Sequence, residues 1–249
     1  MPSPVLVKIE EDRHWWFASR TRAIVGLLDR YLGSDPNRLV LDVGCGAGNM
    51  AHHLARYGQV SGVDPNPKPL AVARQRRLQV YESSADSLPF DDGTFGLVAL
   101  LDTVEHVANE QGVFAECYRV LQPGGFLIVT VPAFMWLWSQ NDELNAHQRR
   151  YTAPELKQKL AAHGFYIERC SYNNFFVFPL AASRIVLRRG HAEPKLASPH
   201  FDEEAYQVEM EQASPLVNRL LGQIGALEAS IMRSVSLPVG TSIICLARR

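Results

Sequence analysis

Short apolar runs alternate with amphipathic segments along the chain. The runs, typical of strands buried in a parallel sheet, occupy Arg38–Val43, Gln59–Val63, Leu78–Tyr81, Thr94–Leu101 and Phe126–Val131. Segments with helical spacing of apolar residues lie between them, at Asn49–Arg56, Pro67–Arg77 and Glu105–Leu121. Strands that alternate with helices predict a doubly wound α/β sheet.

Two more strands follow, with a helix before the first of them. Thr152 and Glu155 have the spacing of a capping box, so we expect a helix from here to its C-terminal glycine, Gly164. The strands are predicted at Phe165–Ser171 and Thr241–Ala247. The expected architecture is therefore a seven-stranded, mostly parallel sheet with helices on both faces.

About seventy residues separate these last two strands, more than a plain connection needs. The first part, Gly190–Glu204, is polar and contains prolines, which favours a loop. The second part places five apolar residues on one helical face: Leu216, Leu220, Ile224, Leu227 and Ile231. We expect a cap inserted over one end of the sheet.

The whole chain is expected to form one domain. Its predicted parts are a helical N-terminal cap (1–36), a core (37–171), the cap insertion (172–240) and the last strand (241–249).

Composition excludes several function classes. With 249 residues, a net charge of −1 and a pI of about 6.7, the chain has no global field that favours nucleic acid. Its cysteines are far apart in sequence, so neither a zinc site nor a disulfide framework is expected, and we predict no metal. No leader segment is visible, and the longest apolar stretch, Phe175–Ala182, is too short to span a bilayer. A cytoplasmic monomer or homodimer is expected.

The segment Leu41–Gly48 (LDVGCGAG) carries the strongest chemical signal. Alternate glycines let the backbone turn sharply and approach a ligand, and the following helix points its free N–H groups at that ligand. The glycines follow the pattern GxGxG, and the next residue is Asn49. A dinucleotide-binding fingerprint, GxGxxG, requires glycine at that position, so the fingerprint is not matched. Asp64 ends the second predicted strand, where its carboxylate can accept both hydroxyls of a ribose. The alternative for Asp64 is a turn residue before Pro65.

Four segments in order resemble the class I S-adenosylmethionine-dependent methyltransferases of the ubiquinone/menaquinone-biosynthesis type. They are LDVGCGAG (41–48), GVDPN (62–66), SADSLPFDDGTFGLV (84–98) and LQPGGFLIVTVP (121–132). The resemblance implies a Rossmann-like fold, S-adenosylmethionine as cofactor and S-adenosylhomocysteine as product. It also implies that the methionine and ribose end of the cofactor is lined by Asp42, Gly44, Cys45, Gly46 and Gly48. Asp64 would hold the ribose, with Pro65 and Asn66 beside the adenine.

The third segment departs from the usual family pattern. Many relatives carry Asp where this chain has Ser84, and that Asp contacts the adenine amino group. Asp86 or the backbone of Ala85 is expected to replace it. In the family the stretch Asp102–His106 (DTVEH) passes beside the sulfonium, so we assign Asp102 and Thr103 to the cofactor. His106 is either a catalytic residue or a packing residue at a helix start.

The acceptor side has less specific signals. The cofactor carries its own activated methyl group, so the protein must align an acceptor and exclude water. A hydroxyl acceptor benefits from a base, and His147 is the preferred candidate. We expect transfer to a small-molecule or lipid- or glycan-linked acceptor, at a hydroxyl. The alternatives are a non-catalytic S-adenosylmethionine-binding subunit and a nicotinamide-dependent oxidoreductase.

Two aromatic segments are candidates for closing the site. In the N-terminal HWWF segment (14–17), Trp16 is expected to cover the cofactor and Arg20 to pair with its carboxylate; the alternative is a helix docked on the sheet edge. After the fifth strand, the predicted substrate-binding residues are Trp136, Trp138, Arg149, Arg150 and Tyr151. Either arginine can bind a phosphate or carboxylate of the acceptor, or else stabilise the loop.

HWWF together with HxRRY (147–151) resembles a bacterial methyltransferase subgroup associated with glycan or polyprenyl-lipid pathways. A further apolar segment, Asn173–Pro179, precedes an apolar helix with Arg184, Arg188 and Arg189 at its end. It is interpreted as a hydrophobic cap for a lipid-like acceptor or a peripheral membrane contact, with core packing or a dimer contact as the alternatives.

Overall fold

The computed structural model describes residues 10–139, 142–143, 145–187, 200–201, 208–209 and 214–249. The main sheet contains β1 (Leu39–Val43), β2 (Gln59–Asp64), β3 (Gln79–Glu82), β4 (Phe95–Leu101), β5 (Leu121–Pro132), β6 (Tyr166–Asn173) and β9 (Ser242–Arg248). A separate two-residue pair consists of β7 (His200–Phe201) and β8 (Val208–Glu209). The α-helices are α1 (Trp15–Tyr31), α2 (Ala51–Leu54), α3 (Pro67–Gln75), α4 (Glu110–Val120), α5 (Ala153–Ala162), α6 (Phe178–Leu187) and α7 (Pro215–Met232). Short 3-10 helices span Glu10–Arg13, Val104–His106 and Met135–Leu137.

The strand order of the main sheet is β3-β2-β1-β4-β5-β9-β6. Neighbouring strands from β3 to β5 are parallel, and β9 runs antiparallel to both β5 and β6. The predicted seven-stranded, mostly parallel sheet is therefore confirmed. The chain order reverses at β1 and β4, and in sheets of this kind a ligand binds at the carboxyl ends of the strands where the order reverses.

Helices cover both faces of the sheet, as predicted. On one face, α4 and α5 bury apolar residues such as Phe114 and Leu156 against β1, β4, β5 and β9. On the other face, Ile24 and Leu28 of α1 pack on the sheet together with Met232 of α7. The N-terminal helix thus lies on the face of the sheet and not on its edge.

The insertion contributes a helix beside α1. Gly225 of α7 approaches Ser19 of α1 so closely that an added Cβ would meet the Ser19 hydroxyl at 1.8 Å. Glu228, buried in α7, accepts hydrogen bonds from the backbone N–H groups of Asn174 and Phe176 after β6. Most of the predicted loop Gly190–Glu204 lies outside the described residues, as do Arg188 and Arg189.

Some predicted boundaries were wrong. The helix expected over Glu105–Leu121 is interrupted after the 3-10 helix, because Val107 is extended and Asn109 begins α4 by accepting a hydrogen bond from Gly112 N (3.1 Å). The helix expected over Asn49–Arg56 is shortened to α2, since the glycine turn continues to Met50. None of the helices in the described part of the chain combines the length and apolar character that a membrane crossing requires.

Candidate cofactor and acceptor site

The glycine loop follows β1 and turns through left-handed backbone conformations. Gly44, Gly46 and Gly48 have φ values of +75°, +52° and +78°, which other residues adopt only with strain. A Cβ at Gly44 would lie 2.3 Å from the hydroxyl of Thr103, which itself donates to Val43 O (3.0 Å). The end of β4 therefore packs directly against the loop, and only glycine fits between them.

A cavity of about 490 Å³ opens beside this loop, at the carboxyl ends of β1, β2 and β4. This volume lies within the range of small-molecule pockets. The structure brings together eight predicted site residues in its wall: Gly44, Asp64, Pro65, Ser84, Ala85, Asp102, Thr103 and His106. The sequence reasoning missed four more wall residues: Val63, Ser83, Val107 and Ala108. The last two follow directly after the DTVEH segment, but a continuous helix was expected there.

The cavity wall does not include five of the predicted cofactor residues: Asp42, Cys45, Gly46, Gly48 and Asn66. Asp64 accepts hydrogen bonds from the backbone N–H groups of Gly46 (3.0 Å) and Asn66 (2.9 Å), which fixes its carboxylate at the end of β2. Gly48 packs against α3, and Cys45 fills the space beside Gly62. Asp42 is buried beneath the loop, and burial raises its pKa to about 7, while the positive charge of Arg20 works in the opposite direction.

Asp86 and the backbone of Ala85, the two candidates for the adenine contact that Ser84 cannot make in the usual way, differ in position. The Ser84 hydroxyl donates to the Asp86 carboxylate, and this hydrogen bond lowers the pKa of Asp86. Asn109 donates to the other oxygen of Asp86 at 3.4 Å. Asp86 is thus held outside the cavity wall, whereas Ser84 and Ala85 line the cavity.

The N-terminal helix reaches the cavity through Arg20, although in a way that the sequence did not predict. Its guanidinium forms an ion pair with Asp102, whose other oxygen accepts from the Thr130 hydroxyl (2.8 Å). The rings of Trp16 and Phe17 lie 5.5 and 5.8 Å from the Arg20 guanidinium. Arg20 therefore contacts the cavity wall at Asp102, with Trp16 behind it.

The loop after β5 is organised around Asp142, which is buried. Its carboxylate accepts from Arg150 Nε (2.7 Å) and Nη2 (2.9 Å) and from Ser139 N (2.8 Å). His147 Nδ1 lies 2.9 Å from Asp142 Oδ1. Burial works to raise the pKa of Asp142, but the hydrogen bonds from His147 and Arg150 bring it to about 2. Asp142 is therefore ionised, and its oxygens can only accept hydrogen bonds. The proton shared with His147 consequently belongs to Nδ1, which is the donor.

His147 lies next to the cavity because its ring contacts that of the wall residue His106. The two imidazole rings meet edge to face with centroids 4.7 Å apart. Burial, and then the neighbouring His147, lower the pKa of His106. Glu105 is fully buried beside them, its carboxyl has no hydrogen-bond partner among the described residues, and burial raises its pKa to about 8. This carboxyl is consequently protonated at neutral pH.

The predicted substrate-binding residues divide into two groups. Arg149 donates to the backbone carbonyl of Val107 (2.6 Å), Arg150 also donates to Ala133 O (3.0 Å), and the hydroxyl of the buried Tyr151 donates to Glu110 (2.8 Å). These three side chains hold the loop together, and Arg149 also connects it to Val107 of the cavity wall. Trp138 is half-buried, and Trp136 is 44% exposed beside Phe134 and Phe178.

Comparisons with known proteins agree with this geometry. Residues 41–129 match the family model of a methyltransferase domain. Demethylmenaquinone methyltransferase of Tropheryma whipplei is 33% identical over 149 residues, which cover 58% of this chain and 53% of that protein. Ubiquinone biosynthesis O-methyltransferase of Pseudomonas paraeruginosa is 36% identical over 99 residues, 35% of this chain and 41% of that protein. The chain therefore spans about half the length of these relatives.

A solved structure has the same fold. Geranyl diphosphate C-methyltransferase from Streptomyces coelicolor A3(2), in complex with S-adenosylhomocysteine, gives a TM-score of 0.60 at 13% identity and covers 92% of this chain and 79% of its own. One of these relatives is named for methylation at oxygen and this structure for methylation at carbon, so the comparisons leave the acceptor atom open. The matched segments and the Rossmann-like sheet make this chain similar to the class I methyltransferases, a family whose cofactor is S-adenosylmethionine.

Proposed function

We propose that this chain transfers the methyl group of S-adenosylmethionine to a hydroxyl of a small-molecule or lipid- or glycan-linked acceptor. The observation that carries the proposal is the Asp142–His147 pair in the loop after β5, next to the cavity residue His106. A carboxylate that orients an imidazole is the usual arrangement of a general base. Transfer to a carbanion, an amine or a thiol needs such a base less.

The cavity fits the cofactor by its size and by its wall. The ribose would lie against Asp64, the adenine beside Pro65, Ser84 and Ala85, and the methionine end near Gly44 and Thr103. Small wall residues let a ligand approach the backbone closely. When bound, S-adenosylmethionine supplies an electrophilic methyl group on a positively charged sulfur.

His147 would accept the proton that the acceptor loses. Because Nδ1 donates to Asp142, Nε2 of the neutral imidazole holds a lone pair. As the acceptor oxygen bonds to the methyl carbon, its proton passes to Nε2, and the electrons of the broken C–S bond remain on sulfur. Asp142 then stabilises the imidazolium, while Arg150 keeps Asp142 ionised.

An apolar rim beside this loop supports an acceptor with an apolar part. Met135, Trp136, Phe176 and Leu180 are 54%, 44%, 45% and 73% exposed. Met135 is adjacent to the base region, since its sulfur accepts from Arg150 N. Arg149 and Arg150 are engaged within the protein, so the rim is a better candidate for acceptor binding than either arginine.

The test compares His147→Gln with His163→Gln, a histidine at the end of α5 that lies outside the site. S-adenosylhomocysteine binding is measured by calorimetry with NADH as the control ligand, and methyl transfer is measured with labelled S-adenosylmethionine and a panel of hydroxylated acceptors. We expect His147→Gln to lower kcat by about 10²–10⁴-fold and to leave S-adenosylhomocysteine affinity unchanged. Full turnover in His147→Gln contradicts its role as base. Cofactor binding without turnover on any acceptor favours the non-catalytic alternative.

A further inference from the structure

A second cluster of ligating side chains lies away from the cavity, where the N-terminal segment meets α2. Asp12 belongs to the 3-10 helix before α1, while His52 and His53 are consecutive residues of α2. His52 Nε2 lies 3.0 Å from Asp12 Oδ2, and His53 Nε2 lies 2.9 Å from Asp12 Oδ1. The side chains are 18%, 14% and 23% exposed for Asp12, His52 and His53, so an ion from solvent can reach them.

The donor set matches a borderline divalent transition ion. Two imidazoles and one carboxylate are a recurrent protein ligand set for zinc, which binds at about 2.0–2.2 Å. Two donors of a tetrahedral ion at that bond length lie about 3.4 Å apart. The observed contacts of 2.9 and 3.0 Å would need to open by only about half an ångström.

The surroundings of His52 suit a metal ligand. If Nε2 donates to Asp12, Nδ1 carries a lone pair, and this buried atom has no hydrogen-bond partner among the described residues. With Nε2 bound to a metal, Nδ1 carries the proton instead and faces the backbone of Asn49, an acceptor. Metal-bound histidines commonly donate their second N–H in this way.

A second group that brings such donors together is less suitable. Donor atoms of Glu105, His106 and His147 also lie within 4.8 Å of one another. However, Glu105 is fully buried and protonated at neutral pH, and His147 Nδ1 is engaged with Asp142. Asp12, in contrast, is partly exposed, and each of its oxygens faces an imidazole nitrogen. The Asp12 cluster therefore offers an accessible carboxylate and two accessible imidazoles.

We propose that Asp12, His52 and His53 form a binding site for a divalent transition ion of the zinc class. The ion would fasten the N-terminal segment to α2, which follows the glycine loop. The 3-10 helix that contains Asp12 precedes the helix that carries Trp16 and Arg20, so the site would hold that helix in place beside the cavity. A cavity of about 320 Å³, lined by Asp12, Trp15, Arg22 and Asn218 among others, adjoins the cluster and gives access from solvent. Forty residues separate Asp12 from His52, so no spacing motif indicates this site in the sequence.

The test titrates the full, chelator-treated chain with Zn²⁺ by calorimetry, with thermal unfolding as a second readout. We expect stoichiometric binding and a higher Tm, because an ion that binds only the folded state stabilises it. His53→Gln keeps a donor toward Asp12 and should still fold, yet weaken Zn²⁺ binding by roughly 10–100-fold or more. Asp12→Asn, a change in the peripheral segment, should do the same. Co²⁺ should give the visible absorption of a nitrogen- and oxygen-ligated ion.

Two controls separate this site from other donors. His163→Gln removes a histidine outside the cluster and should leave Zn²⁺ affinity unchanged. Cys170→Ser removes one of two cysteines that face each other on β6 and β9, which is the rival thiolate site. Zn²⁺ binding that survives both His53→Gln and Asp12→Asn overturns the proposal, and so does binding that is lost in Cys170→Ser.

Discussion

The cofactor half and the acceptor half of the site are built by different means. The cofactor half, the loops after β1, β2 and β4, is shaped by backbone conformation and small residues, as at Gly44 against Thr103. The proposed acceptor half, the described residues between 133 and 151 after β5, is held by charged side chains around the buried Asp142. A pocket shaped by the backbone changes little when side chains far from it are substituted. A buried charge network, in contrast, destabilises the fold when one of its members is removed. Substitutions in the cofactor half should therefore mainly weaken ligand binding, whereas substitutions in the acceptor half should mainly lower the stability of the fold.

The largest expected effect comes from Asp142→Asn in the acceptor half. The substitution keeps the shape but leaves the Arg150 guanidinium, 12% exposed, without its counter-ion. Removing one partner of a buried pair costs about 3–5 kcal/mol, so Tm should fall by roughly 6–20 °C for a chain of this size. S-adenosylhomocysteine affinity should stay unchanged, because Asp142 is not in the cavity wall. The matched control is Asp92→Asn, which removes an Arg119 partner that is 77% exposed and should cost at most about 1 kcal/mol.

The same pair predicts how stability depends on pH. The pKa of Asp142 is lowered from 3.8 to about 2 in the folded protein. A depressed carboxyl pKa contributes stability that is complete above the unfolded value and is lost as the pH falls toward the folded value. The contribution, about 2 kcal/mol, should disappear between about pH 4 and pH 2. Asp142→Asn should flatten this part of the unfolding profile relative to wild type; parallel profiles would show that the pair does not stabilise the fold.

Gly44→Ala examines the cofactor half and should have a smaller effect on stability. Its left-handed backbone costs a residue with Cβ about 1–2 kcal/mol, and the new methyl group would displace Thr103 from the cavity wall. We expect S-adenosylhomocysteine to bind about 10–100-fold more weakly, a loss of the same order as this strain plus the displaced contact. Gly33→Ala is the control, because no described atom lies within 4 Å of an added Cβ there. Equal affinities for the two variants would show that the glycine loop does not shape the ligand site.

The two halves also differ in how far the sequence predicted them. Gly44, Asp64 and the capping box at Thr152 were predicted from patterns within a few residues, since backbone turns and helix starts depend on local residues. The pairing of Arg20 with Asp102 joins residues 82 apart, and Arg149 reaches a backbone carbonyl 42 residues away. Such pairs leave no periodic signal in a single sequence. For this reason the sequence left ligand binding and loop stabilisation open for Arg149 and Arg150, and the structure shows both side chains hydrogen-bonded within the protein.

The smallest expected effect on stability is that of Trp136→Ala at the apolar rim. The side chain is 44% exposed, and its ring lies beside Phe134 and Phe178 with centroids 5.7 and 6.0 Å away. We expect the free energy of unfolding to fall by no more than about 1 kcal/mol, with no change in S-adenosylhomocysteine affinity.

If the rim binds the apolar part of the acceptor, the Trp136→Ala variant should show a higher KM for long-chain acceptors and an unchanged KM for short polar ones, with kcat little changed. Leu216→Ala, which is 78% exposed on α7, is the control for nonspecific loss of apolar surface. A KM that rises equally for both acceptor classes, or equally in both variants, would assign acceptor binding to the buried part of the loop instead of the rim.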